Sequence, residues 1–258
     1  MAEDHGYEAT HVDILNLWYS IGDKTIFDGL SCRFPQDKIT VVLGGSGVGK
    51  STLLRMIGCL RKPDWGDIWV GDQEITCMPE EQCVRFRQRI GMLFQGSALL
   101  DSMTVFDNVA LSLREHTDKG RAEIADLVHR QFEAVDLKDV DHLLPGELSG
   151  GMKKRVALAR AMILEPEILL CDEPFSGLDP VGVRRIEDLL REVNERVGIT
   201  MVVTSHHIGS TLRMADQVVF LADGGAVCGP TREIARTIDR RILAFFEAEG
   251  LKPDVAVS

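Results

Sequence analysis

The stretch Ile39-Thr40-Val41-Val42-Leu43-Gly44-Gly45-Ser46-Gly47-Val48-Gly49-Lys50-Ser51 decides the fold. Its first five residues are apolar or β-branched, the composition of a strand buried in a parallel sheet. From Gly44 the chain satisfies G-x-x-x-x-G-K-[ST], and Lys50–Leu60 continues as a helix with Leu53, Leu54 and Ile57 on one stripe. A glycine-rich turn between strand and helix lets backbone N–H groups point inward at phosphates, and the helix N-terminus adds positive potential. The expected ligand is ATP with Mg²⁺, cradled from Gly44 to Thr52. Lys50 would reach the β- and γ-phosphates, and the Ser51 hydroxyl would hold the metal.

Working outward, Ile168-Leu169-Leu170-Cys171-Asp172-Glu173 is an apolar strand that ends in two carboxylates. Asp172 is the residue expected at Mg²⁺, and Glu173 the one that polarises the attacking water. Gln95 follows the short apolar run Met92–Phe94, where an uncharged amide suits a further Mg²⁺ ligand. His206 ends the strand Ile199–Ser205, where an imidazole can sense the γ-phosphate; His207 reads as a solvated residue at a helix start. Tyr19 is the aromatic candidate for stacking on adenine, with Trp18 turned to the opposite face by strand alternation. Leu148-Ser149-Gly150-Gly151-Met152 opens a helix whose Ser-Gly-Gly turn suits a γ-phosphate, yet one compact domain cannot bring it and the Gly44–Ser51 loop to the same nucleotide. Two ATP molecules are therefore expected between two copies of the chain.

The 258 residues fit one large domain, and a net charge of −11 argues against a general attraction to nucleic acid or anionic lipid. Six scattered cysteines without a CxxC pair read as reduced thiols. The acidic start lacks the parts of a signal peptide, and no run approaches the ~18 apolar residues that cross a bilayer. These features predict a soluble, cytoplasmic protein that meets a membrane through a partner. Short β-like runs (Val12–Trp18, Thr25–Phe34, Asp67–Val70) precede a helix-rich stretch, read as a lobe inserted over about 86–162, with Leu99–Leu113 and Ala122–Val135 as helices. The β/α alternation then resumes, with a helix at Val181–Val197 and a hairpin at Asp223-Gly224-Gly225. The segment 231–258 closes the chain as a helix, Thr231–Ala248 with Ile234, Ile238, Ile242 and Phe245 on one face, and a tail.

The whole chain resembles an ABC-transporter nucleotide-binding domain: an α/β ATPase core, with a mixed sheet and an antiparallel β edge, carrying a helical subdomain. The resemblance makes Tyr19 the A-loop, Gln95 the Q-loop, Leu148–Met152 the signature, Ser176-Gly177-Leu178-Asp179 the D-loop and His206 the switch histidine. It implies a homodimer in which Ser149, Gly150, Gly151, Met152 and Asp179 act in trans. Met152 replaces the usual glutamine; with the segments Leu93–Val109 and Glu147–Met162, this resembles the ATPase subunit of the Mla-type, MCE-linked phospholipid transporters of Gram-negative bacteria. That likeness implies integral-membrane permease subunits, a periplasmic MCE lipid-binding protein, a small cytoplasmic accessory subunit and a place on the inner face of the inner membrane. An ABC ATPase of a small-solute importer or exporter, or one regulating cell division, is the alternative. The apolar pair Leu99-Leu100 after the Q-loop is expected to dock the permease.

Overall fold

The structure is a computed structural model describing residues 10–237 and 239–248. The chain opens with β1 (Thr10–Ile21), β2 (Lys24–Pro35), β3 (Ile39–Leu43), α1 (Lys50–Ile57), β4 (Trp65–Val70) and β5 (Gln73–Glu74). Next come α2 (Glu80–Arg87), β6 (Ile90–Leu93), α3 (Val105–His116), α4 (Arg121–Ala134) and α5 (Gly150–Met162). The last part holds β7 (Ile168–Cys171), α6 (Pro180–Val197), β8 (Thr200–Ser205), α7 (Ile208–Met214), β9 (Gln217–Ala222), β10 (Gly225–Pro230), α8 (Thr231–Ile234) and α9 (Arg240–Ala248).

Two sheets result. One is antiparallel, in the order β2-β1-β4-β5; the other runs β10-β9-β3-β8-β7-β6, parallel except for the β9–β10 hairpin at its edge. Period-2 alternation splits the core of the larger sheet. Val41, Leu169, Cys171, Met201 and Val203 face the layer of α3, α4, α5 and α6, whereas Val42, Leu170, Val202 and Val219 face α1 and the antiparallel sheet. Every residue of β3 is buried, which places the strand leading into the glycine loop at the centre of both layers.

Three boundaries differ from the sequence reading, each for a local reason. The run Leu99–Leu113 is not one helix: Thr104 caps α3 by accepting from the Asp107 N–H at 3.1 Å, and Ser97 and Ala98 take left-handed φ values of 64° and 48°. The fully buried Asn108 holds the preceding loop by donating to the carbonyls of Leu100, Met103 and Thr104 and accepting from the Leu100 N–H. The lobe boundary near residue 86 falls within α2, and the following β6 pairs with β7 as part of the main sheet; α3 and α4 lie between those two strands. The closing helix breaks into α8 and α9, because Thr237 and Asp239 side chains accept from the backbone N–H groups of Asp239 and Arg241 and compete with helical bonding. Ile234, Ile242 and Phe246 form its buried face, Phe245 is half-buried, and Ile238 and the tail from 249 lie outside the described residues.

Candidate functional site

The glycine loop is shaped by what surrounds it. Gly49 has φ 106°, and a Cβ there would lie 2.7 Å from both Ile26 Cγ2 and Phe27 Cε1 of β2, so the antiparallel sheet itself demands glycine. Gly49 is also the N-cap of α1, with no side-chain cap and no acidic residue in the first turn. The N–H groups at that helix end are thus left for an anion, in a position where the helix dipole favours one. Lys50 is buried and donates to the carbonyls of Gly44 (2.8 Å) and Gly45 (3.0 Å), with Glu173 Oε1 at 3.4 Å.

The carboxylates arrive from the adjoining strands. Asp172 Oδ1 accepts from Ser51 Oγ and from Thr204 Oγ1, both at 2.8 Å, while Thr204 Oγ1 accepts from the Glu173 N–H at 2.8 Å. Glu173 takes a left-handed φ of 46°, a strained conformation of the kind stored at functional sites, and its Oε2 lies 2.9 Å from His206 Nδ1. One continuous network therefore links Ser51, Asp172, Thr204, Glu173, Lys50 and His206. α7, which follows the histidines, is pinned to α6 by Arg213, whose Nε donates to the buried Glu187 at 2.8 Å. His207 is the N-cap of that helix without a side-chain cap, and its ring lies 4.1 Å from that of His206.

These residues face a cavity of 720 Å³ lined by Gly45–Gly47, Gly49–Thr52, Gln95, Glu173 and His206. Gly44 is buried beneath it, and Val48 packs into the core behind. Tyr19 is not at the cavity: its ring packs on Phe27 at 6.5 Å, and Arg61 covers it at 5.6 Å and donates to its hydroxyl. Ile21, Lys24, Ile26 and Phe245, which the sequence reading did not select, line the cavity instead. The Asp172 carboxylate and Ser51 hydroxyl form an all-oxygen donor pair suited to a hard cation, and Gln95 adds an amide oxygen at the cavity wall. Among the described residues no cluster of three His, Cys, Asp or Glu could hold a metal, so a cation here would complete its shell with phosphate and water.

Ser149, Gly150, Gly151, Met152 and Asp179 do not line this cavity. Ser149 caps α5, its Oγ accepting from the Met152 N–H at 3.3 Å, and Asp179 caps α6 through the Gly182 N–H at 2.6 Å. Both caps are exposed, and Gly150 packs beside Leu178, so the two turns form one surface patch. Lys154 of α5 carries the link back to the cavity. Buried at 5% exposure, with its pKa lowered mainly by that burial, it donates to the Gln95 carbonyl and, at 3.5 Å, to Ser176 Oγ. A second groove, of 440 Å³, runs beside the Gln95 loop between α2 and α3, with Phe94, Ala98, Ser112 and His116 on its walls. Leu100, 45% exposed, lies outside it.

The profile of the ABC transporter family matches residues 27–176. The chain is 41% identical over 248 residues (95% of this chain, 92% of the relative) to the intermembrane phospholipid transport system ATP-binding protein MlaF of Escherichia coli K12. It is 37% identical over 243 residues (94% and 92%) to the MlaF protein of Haemophilus influenzae. Among solved structures it resembles a dimeric ATP-binding cassette in a post-hydrolysis state bound to ADP and Pi, with TM-score 0.78 and 28% identity over 86% of this chain and 99% of the other.

Proposed function

Because the chain belongs to the ABC transporter family, we propose that it is the ATP-hydrolysing subunit of a system that moves phospholipid between the inner membrane and a periplasmic carrier, maintaining outer-membrane lipid asymmetry. The observation that carries the reading is the buried Lys50–Glu173 pair, with the half-exposed His206 beside it, at the mouth of an uncapped helix in a chain similar to MlaF proteins along nearly its whole length. That length of match favours lipid transport over the small-solute and cell-division alternatives.

The mechanism follows from exchange of partners. Arriving phosphates replace Glu173 as the partner of Lys50 and occupy the free N–H groups of α1. Glu173, released from the lysine but still within reach of His206, polarises the attacking water, and His206 reports the γ-phosphate. Ser51, Gln95 and Asp172 would hold Mg²⁺, which would supply neutralisation of phosphate charge. A second copy contributes Ser149, Gly150, Gly151, Met152 and Asp179, the two caps Ser149 and Asp179 being exposed; the similar cassette bound to ADP and Pi is a dimer. Among the described residues no helix is long and apolar enough to cross a membrane. Work on lipid therefore passes through permease subunits, with a periplasmic MCE protein and a small accessory subunit completing the assembly at the inner face of the inner membrane.

The groove beside the Gln95 loop, together with Leu100, 45% exposed on the same loop, is the surface we assign to the permease. Filling it with Ser112→Trp should leave ATP binding by the purified chain unchanged. The same variant should abolish ATP-driven transfer of fluorescent phospholipid by the reconstituted complex. Full transfer by Ser112→Trp would reject the groove. Absence of ATP-dependent lipid transfer by the unmodified complex, with ATPase intact, would reject the lipid reading.

A further inference from the structure

The two sheets meet along a seam between β2 and the edge strand β10. At one end the Asp28 N–H donates to the Gly224 carbonyl at 2.9 Å, an approach so close that a Cβ on Gly224 would lie 2.9 Å from Asp28 Cβ. At the other, Gln217, the partner of Pro230 in the β9–β10 hairpin, donates from Nε2 to the Arg33 carbonyl at 2.7 Å. Between these ends Ala226 packs on the cluster that holds Leu30 and Cys32. Counted from the Asp28–Gly224 contact, Cys32 and Cys228 stand at equal steps along the two segments, and their thiols share a hydrogen bond. Cys32 is buried, at 5% exposure, whereas Cys228 is exposed. That bond, and then burial, raises the Cys32 pKa well above the usual thiol range, and the same bond lowers that of Cys228. A buried thiol thus donates to an exposed one, which favours the thiolate on the side that solvent reaches.

We infer that Cys228 and Cys32 form a thiol-oxidation site that takes a hydroperoxide and closes to a disulfide between the two sheets. The Cys228 thiolate attacks one peroxide oxygen and the O–O bond breaks. Cys228 becomes a sulfenic acid, and the other oxygen leaves as alcohol or water with a proton from solvent. The Cys32 sulfur then attacks the sulfenic sulfur; the S–O bond breaks, and the hydroxyl leaves with the Cys32 proton as water. Two thiols are oxidised to a disulfide and the hydroperoxide takes up their electrons. The other cysteines lack this arrangement. Cys59 and Cys83 also interact, but their thiols donate to the Ile75 carbonyl at 4.0 Å and the Met78 carbonyl at 3.5 Å. Burial first, and then Cys83, pushes Cys59 up to about 12, and burial does the same to Cys171. Cys77 is exposed but lies between β5 and α2, away from the seam. The bond would matter to the glycine loop. β2 carries Ile26 and Phe27 behind Gly49, and β9, the hairpin partner of β10, pairs with β3 as far as Leu43. Oxidation would tie the wall behind the loop to the strands beside it, and would restrain the unfolded chain by closing most of its length into a ring.

The test uses the full chain, freed of reductant and treated with hydrogen peroxide while folded. Non-reducing digestion and mass spectrometry should recover Cys32 linked to Cys228. The link should form at least about tenfold faster than in urea, where nothing holds the two thiols together. Dimedone, which captures sulfenic acids, should label Cys228 in Cys32→Ala and leave Cys32 unlabelled in Cys228→Ser. The oxidised parent should unfold at a higher urea concentration than the reduced one, and Cys228→Ser should abolish that shift. Both thiols still free after peroxide, a Cys59–Cys83 link forming first, or dimedone on Cys32 overturns the inference. A urea midpoint unmoved or lowered by oxidation overturns the tie between the sheets. Should Cys32→Ala fail to fold, Cys228→Ser, changed at an exposed position, carries the test. Loss of the crosslink with Cys32 left reduced supports the pair, and a crosslink from Cys32 to any other cysteine overturns it.

Discussion

Replacing Glu173 by Gln removes one negative charge while keeping shape, at the point where three functions meet. Its Oε1 lies 3.4 Å from Lys50 Nζ and its Oε2 2.9 Å from His206 Nδ1. At an effective dielectric near 20, a unit pair at that first distance attracts by about 5 kcal/mol, most of which offsets the cost of desolvating two buried charges. Losing the carboxylate leaves the buried Lys50 its two carbonyl acceptors but no counter-charge, so the empty protein should lose stability, by up to about 3–5 kcal/mol. Phosphates no longer compete with Glu173 for the lysine, and a net change of about 1 kcal/mol corresponds to a several-fold gain in ATP affinity. The chemical step behaves oppositely. Loss of general-base help costs ~10²–10⁴-fold in rate, or about 2.7–5.5 kcal/mol of activation free energy. Steady-state phosphate release and equilibrium ATP binding, measured on the same preparation, should therefore move in opposite directions, with the variant accumulating as an ATP-bound dimer. Turnover within tenfold of the parent would refute the base assignment, and ATP affinity reduced tenfold or more would refute the partner exchange.

Two further outcomes follow from the geometry. Mixing Lys50→Ala with Ser149→Arg subunits should restore ATPase above either homodimer, because one composite site is then intact; absence of activity together with absence of inter-subunit nucleotide crosslinking would reject the shared site. His11, in contact with Thr200 Oγ1 at 2.7 Å, has its pKa lowered, chiefly by burial, from the usual 6.5. A folded-state value below the unfolded one contributes stability that is present above about pH 6.5 and lost as pH falls below it, with a slope of at most about 1.4 kcal/mol per pH unit. Urea midpoints from pH 8 to pH 5 should flatten in His11→Gln, and parallel curves would show that this histidine does not govern acid sensitivity.

The parts of the site legible in the sequence are those whose chemistry is local. Gly44–Ser51 and Asp172-Glu173 announce themselves because loop shape, helix start and strand end sit within a few residues of one another. Thr204 was missed although it joins both carboxylates. Its only signal was a polar residue near the end of the apolar strand β8, and such residues commonly satisfy a backbone group. Lys154 was not selected from sequence; only the packing of α5 under the Gln95 loop turns it inward. Tyr19 was chosen over Trp18 by strand alternation, a weak guide here because the β1–β2 register shifts on both sides of Tyr19. Phe245 was placed on one face of a single closing helix; it is half-buried and packs on Phe220, and the separation of α8 from α9 was concealed by the continuous apolar stripe.

The crowding of Gly49 against Ile26 and Phe27 bears on the order in which the protein matures. β3 is flanked in its sheet by β8 and β9, strands made some 160 residues later, while the wall behind Gly49 belongs to a hairpin made earlier. A ribosome-bound chain that stops before β8 holds the full glycine motif yet lacks both neighbours that fix its strand, and long-range pairings of this kind form slowly. Capture of newly made chains on immobilised ATP should thus begin only after β9 has emerged, which makes nucleotide binding a quality check on completion of the polypeptide.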